Sequence, residues 1–159
     1  MATDIQDNAG VVAPPPLVYA GGLALGLLLH RLFPIKLLPR TPRGITLTLG
    51  STCISLAMTL LLSGIRQMRN ANTNINPTRP VTTIVTEGPF RFTRNPLYLG
   101  FTLLYIGITL ITNSLWTSLL LPAVLVLMNI GVIAREERYL ERKFGTQYLA
   151  YKQQVRRWL

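Results

Sequence analysis

Four long stretches of this chain carry no charged side chain, and their lengths restrict the folds that it can adopt. They are residues 17–30, 45–65, 97–113 and 114–134. A helix needs about 20 apolar residues to cross a membrane, with a range of about 17–25. The second and fourth stretches meet that length directly, the third does so when tilted or joined to the turn before it, and the first only with its flanks. The sequence therefore predicts an all-α integral membrane bundle with four transmembrane helices.

The basic residues lie between these apolar stretches, although the chain is strongly positive overall. Its net charge is +10, and its 16 Lys and Arg residues comprise four in residues 31–43, five in 66–94 and seven after residue 134. Loops with an excess of Lys and Arg stay in the cytoplasm. The distribution predicts a multi-pass protein with both termini in the cytoplasm, which leaves four basic residues in an external loop. Because the charges flank membrane segments, we expect contacts with membrane lipids and no nucleic-acid partner.

The length of the chain suits one domain. Residues 1–16 are polar, end in three prolines and predict a disordered lead-in. Residues 17–159 predict a single membrane domain, in which 17–65 hold the first two spans and 80–159 hold a cofactor-binding catalytic half. No cationic stretch precedes the first apolar run, so we expect no cleaved signal peptide. One cysteine and one histidine exclude a conventional zinc site, and no metal is expected.

Two further patterns concern the helices themselves. Gly22 and Gly26 form a G-x-x-x-G pattern in the first apolar stretch, which favours close packing against a neighbouring helix.

The fourth stretch predicts a helix that is kinked at Pro122 and continues to a C-cap at Gly145. A second, amphipathic helix is predicted after it from apolar residues at spacings of three, four and three: Tyr148, Tyr151, Val155 and Trp158. Arg156 and Arg157 beside this helix favour contact with anionic lipid headgroups.

A polar turn with two arginines leads directly into the third apolar stretch. Gly88 and Pro89 are typical of a turn, and Asn95-Pro96 predicts an N-cap followed by proline at the first helical position. The free N–H groups and partial positive charge of a helix N-terminus can receive an anion. The sequence therefore predicts an anion-binding site at the membrane edge, beside Arg94.

The third and fourth stretches follow each other almost directly and predict an antiparallel hairpin. The hairpin would bring Arg94, Asn95 and Tyr98 close to Glu136 and Glu137. Carboxylates suit an ammonium or sulfonium group and an arginine suits a carboxylate, so this set fits a zwitterionic cofactor. A solvated helix end, in which the two glutamates only balance neighbouring arginines, explains the same residues.

Two motifs in this order carry a family resemblance. The first is residues 87–100, with the sequence EGPFRFTRNPLYLG, and the second is the acidic pair followed by Leu140, Phe144-Gly145, Tyr148 and Tyr151. Together they resemble the isoprenylcysteine carboxyl methyltransferase family, which belongs with the phospholipid N-methyltransferases. The resemblance covers residues 80–158. It implies an integral membrane enzyme that uses S-adenosylmethionine as its methyl donor.

The resemblance also implies which residues form the site. The catalytic positions fall on Arg94, Asn95 and Tyr98. The cofactor-binding positions fall on Val81, Thr82, Thr83, Gly88, Arg94, Asn95, Pro96, Tyr98, Glu136 and Glu137. This chain departs from the pattern twice. Asn95 stands where the family motif has histidine, and residues 129–131 lack the arginine that meets the substrate carboxylate in the prenylcysteine enzymes.

The resulting expectation is a membrane methyltransferase that acts on a lipophilic small molecule or lipid. O-methylation of a carboxylate, on a prenylcysteine-like or other small lipid, is favoured because an ionised carboxylate needs no base. N-methylation of a phospholipid headgroup or another amine is the main alternative. An NADPH-dependent enzyme like the membrane sterol reductases and a non-enzymatic membrane scaffold are further alternatives. The oligomeric state stays open.

Overall fold

A computed structural model shows a helical protein and describes residues 7–158. Its elements are α1 (Pro15–Leu32), α2 (Arg43–Asn70), a 3-10 turn (Gly88–Arg91), α3 (Pro96–Thr112), α4 (Leu115–Met128), a π-helical turn (Asn129–Ile133), α5 (Ala134–Phe144) and α6 (Thr146–Gln154). Residues 7–158 contain no β-sheet, only an isolated bridge between Lys36 and Ser114. The predicted all-α class is confirmed.

Two of the helices are long and apolar enough to cross a membrane. They are Arg43–Asn70 and the continuous helix Leu115–Phe144, which joins α4, the π-helical turn and α5. Helix α3 is apolar but shorter. A helical membrane protein therefore fits the structure, while the predicted four spans and the orientation of the termini stay predictions.

The segments that connect the helices lie at two opposite ends of the bundle. At one end, the loop after α1 meets the short connection between α3 and α4. The Asn113 side chain there accepts the Leu38 N–H at 2.8 Å and donates to the Leu38 carbonyl at 3.2 Å. The opposite end holds the long segment after α2, the beginning of α3, and helices α5 and α6. Consecutive long helices therefore run in alternating directions.

Close helix packing depends on glycines in two pairs of helices. A Cβ atom added to Gly26 would lie 2.8 Å from Thr117 Cα, so α1 and α4 are in backbone contact there. This confirms that the G-x-x-x-G pattern packs helices. A Cβ atom added to Gly50 would lie 2.7 Å from the Gly107 carbonyl oxygen, between α2 and α3.

The short connection between α3 and α4 is as predicted, but the two helices are not each other's main neighbours. Helix α3 packs along α2, and α4 packs along α1. The reason is the close approach that the glycines permit in those two pairs. A buried cluster from α1, α3, α4 and the π-helical turn joins the pairs: Tyr19, Tyr98, Tyr105, Val124, Met128, Val132 and Ile133.

The segment before α1 lies against α5. Lys143 Nζ is 2.7 Å from Asp7 Oδ1, and the Arg135 side chain donates to the Gly10 carbonyl at 2.7 Å. The Val12 N–H donates to the Gly131 carbonyl at 3.1 Å. Residues 1–6 of the predicted disordered lead-in lie outside the described residues. Residues 7–12 of that lead-in have these specific contacts.

The C-terminal region differs from its prediction. Helix α5 ends at the predicted cap, Gly145, whose φ is +52°. Helix α6 ends at Gln154, and Val155 is extended with φ −120° and ψ 132°. The predicted helix through Trp158 is therefore wrong. The indole N–H of Trp158 instead donates to Asn129 Oδ1 at 3.3 Å, because the chain turns back toward the π-helical turn.

Candidate active site

The end of the bundle that holds α5 and α6 contains a cavity of about 130 Å³. Its walls come from the end of α2, the segment after it, the beginning of α3, α5 and α6. Eight of the predicted site residues line this cavity: Val81, Thr83, Arg94, Asn95, Pro96, Tyr98, Glu136 and Glu137. The structure thus brings together residues that are separated by as many as 56 positions in the sequence.

Two predicted site residues do not line the cavity. The exposed Thr82 uses its hydroxyl to donate to the Asn72 carbonyl at 2.8 Å. Gly88 has φ +59°, and a Cβ atom there would lie 2.9 Å from Gln67 Cγ. Gly88 therefore serves the turn before α3, as its predicted turn conformation requires.

Glu137 is the centre of a cluster of ion pairs. Its Oε1 atom is 2.9 Å from Arg94 Nη1 and accepts Arg157 Nε at 3.0 Å. Its Oε2 atom is 2.5 Å from Arg157 Nη2. The Glu137 and Arg94 side chains are only 8% and 9% exposed, whereas Arg157 is 40% exposed. The hydrogen bond to Glu137 raises the pKa of Arg157 above its ordinary value.

Glu136 points to a different partner. Its Oε1 atom accepts the Tyr98 hydroxyl at 2.6 Å, which is its one hydrogen bond to residues 7–158. Tyr98 is buried, and its backbone carbonyl accepts the Tyr19 hydroxyl at 3.2 Å. Of the two glutamates, Glu136 therefore has more acceptor capacity left for a ligand.

Asn95 occupies the predicted N-cap position of α3, but its side chain makes no capping hydrogen bond. The amide group instead donates to the Arg157 carbonyl at 2.8 Å. Asn95 is thus at the predicted N-cap position, but the predicted capping hydrogen bond is wrong. The reason is that the Arg157 carbonyl accepts the hydrogen bond of the Asn95 side chain. Pro96 is at the first helical position, as predicted.

Two tyrosines of α6 complete one wall of the cavity. The Tyr151 hydroxyl donates to the Phe90 carbonyl at 2.7 Å, and Arg94 Nη1 contacts the Tyr148 hydroxyl at 3.4 Å. Burial raises the pKa of Tyr148 to about 12 and also raises the pKa of Tyr151. From the sequence, Tyr148 and Tyr151 are expected in an amphipathic helix that lies against lipid headgroups. Their spacing of three signals one shared face but not what that face contacts.

Tyr139 was also not predicted as a site residue. Its buried hydroxyl accepts the Val81 N–H at 3.1 Å and bonds to Asp7 Oδ1 at 2.8 Å. It therefore connects α5 to both the segment after α2 and the segment before α1. The hydrogen bond from Lys143 is the main reason why the pKa of Asp7 lies below its usual range.

The rest of the cavity wall is largely apolar. Its members come mostly from the end of α2 and the segment after it: Met68, Ile75, Pro77, Ile84, Val85 and Leu140. A cavity lined by both apolar and charged side chains suits an amphipathic ligand. The sequence analysis did not identify these residues, since an isolated apolar residue in a loop carries no local signal.

The side chains fit S-adenosylmethionine on one structural criterion. Arg94 Nε is buried and has no hydrogen-bond partner among residues 7–158. A buried unpaired guanidinium N–H is costly, so this atom suits an acceptor such as a carboxylate. Glu136 offers the complementary acceptor for an ammonium group. The residues present therefore suit a zwitterion.

A family model described as phospholipid methyltransferase matches residues 45–147. A Haemophilus influenzae protein, described only as uncharacterized, is 46% identical over 65 residues, which make up 40% of this chain and all of that protein. No solved structure matches the chain.

Proposed function

This chain belongs to the phospholipid methyltransferase family, and from that we propose that it transfers a methyl group from S-adenosylmethionine to a lipophilic acceptor. The observation that carries the proposal is that Arg94 and Glu136 line the same cavity. The family match comprises both residues. The narrower assignment to the isoprenylcysteine enzymes rests on the motif resemblance alone.

The donor would be held by groups of opposite charge. Arg94, through its free Nε atom, suits the donor carboxylate, and Glu136 suits the donor ammonium group. Glu137 is less available, because Arg94 and Arg157 already use its oxygens. When bound, S-adenosylmethionine supplies an electrophilic methyl group on a sulfonium. The chain itself orients the reactants, and orientation can lower a barrier by about 7–11 kcal/mol.

The apolar wall suits the hydrocarbon part of the acceptor. The nature of the reacting atom decides what else the site must do. A carboxylate acceptor arrives ionised and needs no proton transfer, whereas an amine acceptor must first lose a proton. Because Glu136 is assigned to the donor ammonium group, an amine acceptor would have to enter the site already neutral. We favour a carboxylate or an amine on a lipid over a water-soluble acceptor.

Binding of the donor tests the proposal directly. Purified protein in detergent is titrated with S-adenosylmethionine and, separately, with NADPH. We expect binding of the first and not of the second, and at least a tenfold weaker affinity for Glu136→Gln. Glu141→Gln is the matched control, because Glu141 lies on the same helix but pairs with Lys152 outside the cavity. Selective NADPH binding, or unchanged donor affinity in Glu136→Gln, would contradict the proposal.

The methylated product distinguishes the two acceptor chemistries. Membranes that contain the active protein are incubated with donor labelled in its methyl group, and the lipids are then extracted and treated with mild alkali. Alkali releases label from a methyl ester as methanol, whereas an N-methyl group keeps its label. Absence of label from every lipid fraction would argue for a non-enzymatic scaffold.

We also place the site at the cytoplasmic face of four spans. The alternating helices and the location of the site opposite the residue 33–42 loop support this arrangement. Reporter fusions after residue 158 and within residues 35–41 test it, and we expect the first to report cytoplasm and the second the opposite side. The same side for both would contradict it.

A further inference from the structure

We infer that Arg157, which lies in the C-terminal tail of residues 155–158, is a positioning residue that sets Glu137 and Arg94 for the donor. This inference deepens the proposed function and rests on it where donor binding is the readout. The family match ends at residue 147, so it assigns nothing to these residues.

Backbone contacts first fix the tail against the turn that precedes α3. The Arg94 N–H donates to the Arg156 carbonyl at 2.9 Å. The next carbonyl, that of Arg157, accepts the Thr93 hydroxyl at 3.1 Å and the Asn95 amide at 2.8 Å. Three consecutive residues of the turn thus bond to two consecutive carbonyls of the tail. These hydrogen bonds couple the position of residues 93–95 to the position of the tail.

The Arg157 side chain then connects the tail to α5. It binds both oxygens of Glu137, through Nε at 3.0 Å and Nη2 at 2.5 Å. A two-pronged guanidinium–carboxylate pair fixes the plane of the carboxylate as well as its position. Because Arg94 Nη1 forms an ion pair with the same Oε1 atom, the position of the Glu137 carboxylate also sets that of the Arg94 guanidinium. Arg157 therefore acts on the cavity through two other side chains.

The charges around Glu137 support a positioning role. With Arg157 in place, Glu137 is paired on both oxygens and Glu136 is left as the carboxylate that is open to a ligand. Without Arg157, Glu137 would keep one partner and a free oxygen. It could then draw Arg94 further toward itself and away from a donor carboxylate. The alternative is that Arg157 occupies the place of the donor ammonium and must leave, in which case its removal would strengthen binding.

Three variants separate these roles. Arg157→Ala removes the side chain, Arg157→Lys keeps the charge but cannot bind both oxygens, and Arg156→Ala is the matched control. Arg156 is exposed and contributes its backbone carbonyl, which the substitution leaves in place. We expect donor affinity to fall about tenfold in Arg157→Ala, equal to about 1.4 kcal/mol. A smaller loss is expected in Arg157→Lys and none in Arg156→Ala. Added ethylguanidinium should restore part of the affinity of Arg157→Ala.

Amide hydrogen exchange of residues 93–95 gives a readout that needs no donor. Arg157→Ala should speed exchange there, and Arg156→Ala should leave it unchanged. Equal or tighter donor binding by Arg157→Ala overturns the inference. If the wild type binds no donor, the proposed function fails on its own, and the inference is then decided by exchange. Unchanged exchange in Arg157→Ala overturns it in that case too.

Discussion

Replacing Glu137 by glutamine tests the energetic role of the ion-pair cluster. The carboxylate accepts N–H groups from Arg157, and its Oε1 atom forms an ion pair with Arg94 Nη1 at 2.9 Å. Glutamine has nearly the same shape, but it has no charge and presents an NH₂ group in place of one oxygen. Glu137→Gln therefore leaves the buried Arg94 guanidinium without its counter-ion and turns a donor toward a donor.

The structure gives a magnitude for this loss. Both Arg94 and Glu137 are less than 10% exposed, and breaking such a buried pair costs about 3–5 kcal/mol. Arg157 is 40% exposed, so its bonds are screened by solvent and add about 1 kcal/mol or less. Taking the lower end for the buried pair, we expect Glu137→Gln to lose about 3–4 kcal/mol. In a chain of this size that lowers the Tm by about 10 °C.

Glu136→Gln is the matched control, since the two residues are adjacent. The Tyr98 hydroxyl at 2.6 Å is the hydrogen bond that Glu136 makes, and the carbonyl of glutamine can accept it as well. The expected loss is about 1 kcal/mol, or about 2–4 °C in Tm. Thermal unfolding of both variants and the wild type in one detergent measures the difference. Equal losses, or a larger loss for Glu136→Gln, would refute the assignment of the structural role to Glu137.

Three further predictions follow from single contacts. Gly26→Ala should lower stability by about 1–3 kcal/mol, because its Cβ atom would meet the α4 backbone, while Gly21→Ala, with open space around it, should not lower the Tm. Burial raises the pKa of Tyr148 to about 12. The stability that the neutral Tyr148 side chain contributes is therefore present below pH 10 and lost as the pH rises toward 12. Tyr148→Phe should reduce the fall in Tm over that pH range. Thr82→Val should leave donor affinity within about twofold and Tyr98→Phe should weaken it several-fold, because only Tyr98 lines the cavity.

The helices and one turn could be predicted because their causes are local. An uncharged stretch of sufficient length favours a helix wherever the chain is placed, and all four stretches are largely helical. Pro96 and Gly145 begin and end helices through their own backbone preferences. The convergence of Arg94 with the acidic pair followed from the short connection between α3 and α4, although it is reached here with α3 and α4 packed mainly on other helices.

The tail and the segment before α1 could not be predicted because their causes are distant in the sequence. Val155 and Trp158 continue the helical spacing of Tyr148 and Tyr151, so a local pattern predicts one helix. Val155 is extended because Arg156 and Arg157, which follow it, form hydrogen bonds with residues 93–95, some 60 positions earlier. Asp7 likewise meets Lys143 across 136 positions. Tertiary contacts of this kind override a local preference without altering its signal.

The acidic pair shows how one motif can contain two roles. Successive residues of an α-helix point about 100° apart, so two adjacent side chains cannot share one set of neighbours. Glu136 faces Tyr98 of α3, and Glu137 faces Arg94 and the tail. The sequence alone does not distinguish Glu136 from Glu137, because they are identical residues at adjacent positions. The tail separates them, since Arg157 pairs with Glu137 and leaves Glu136 with its hydrogen bond to Tyr98. A relative that lacks this tail would have to divide the two roles in another way.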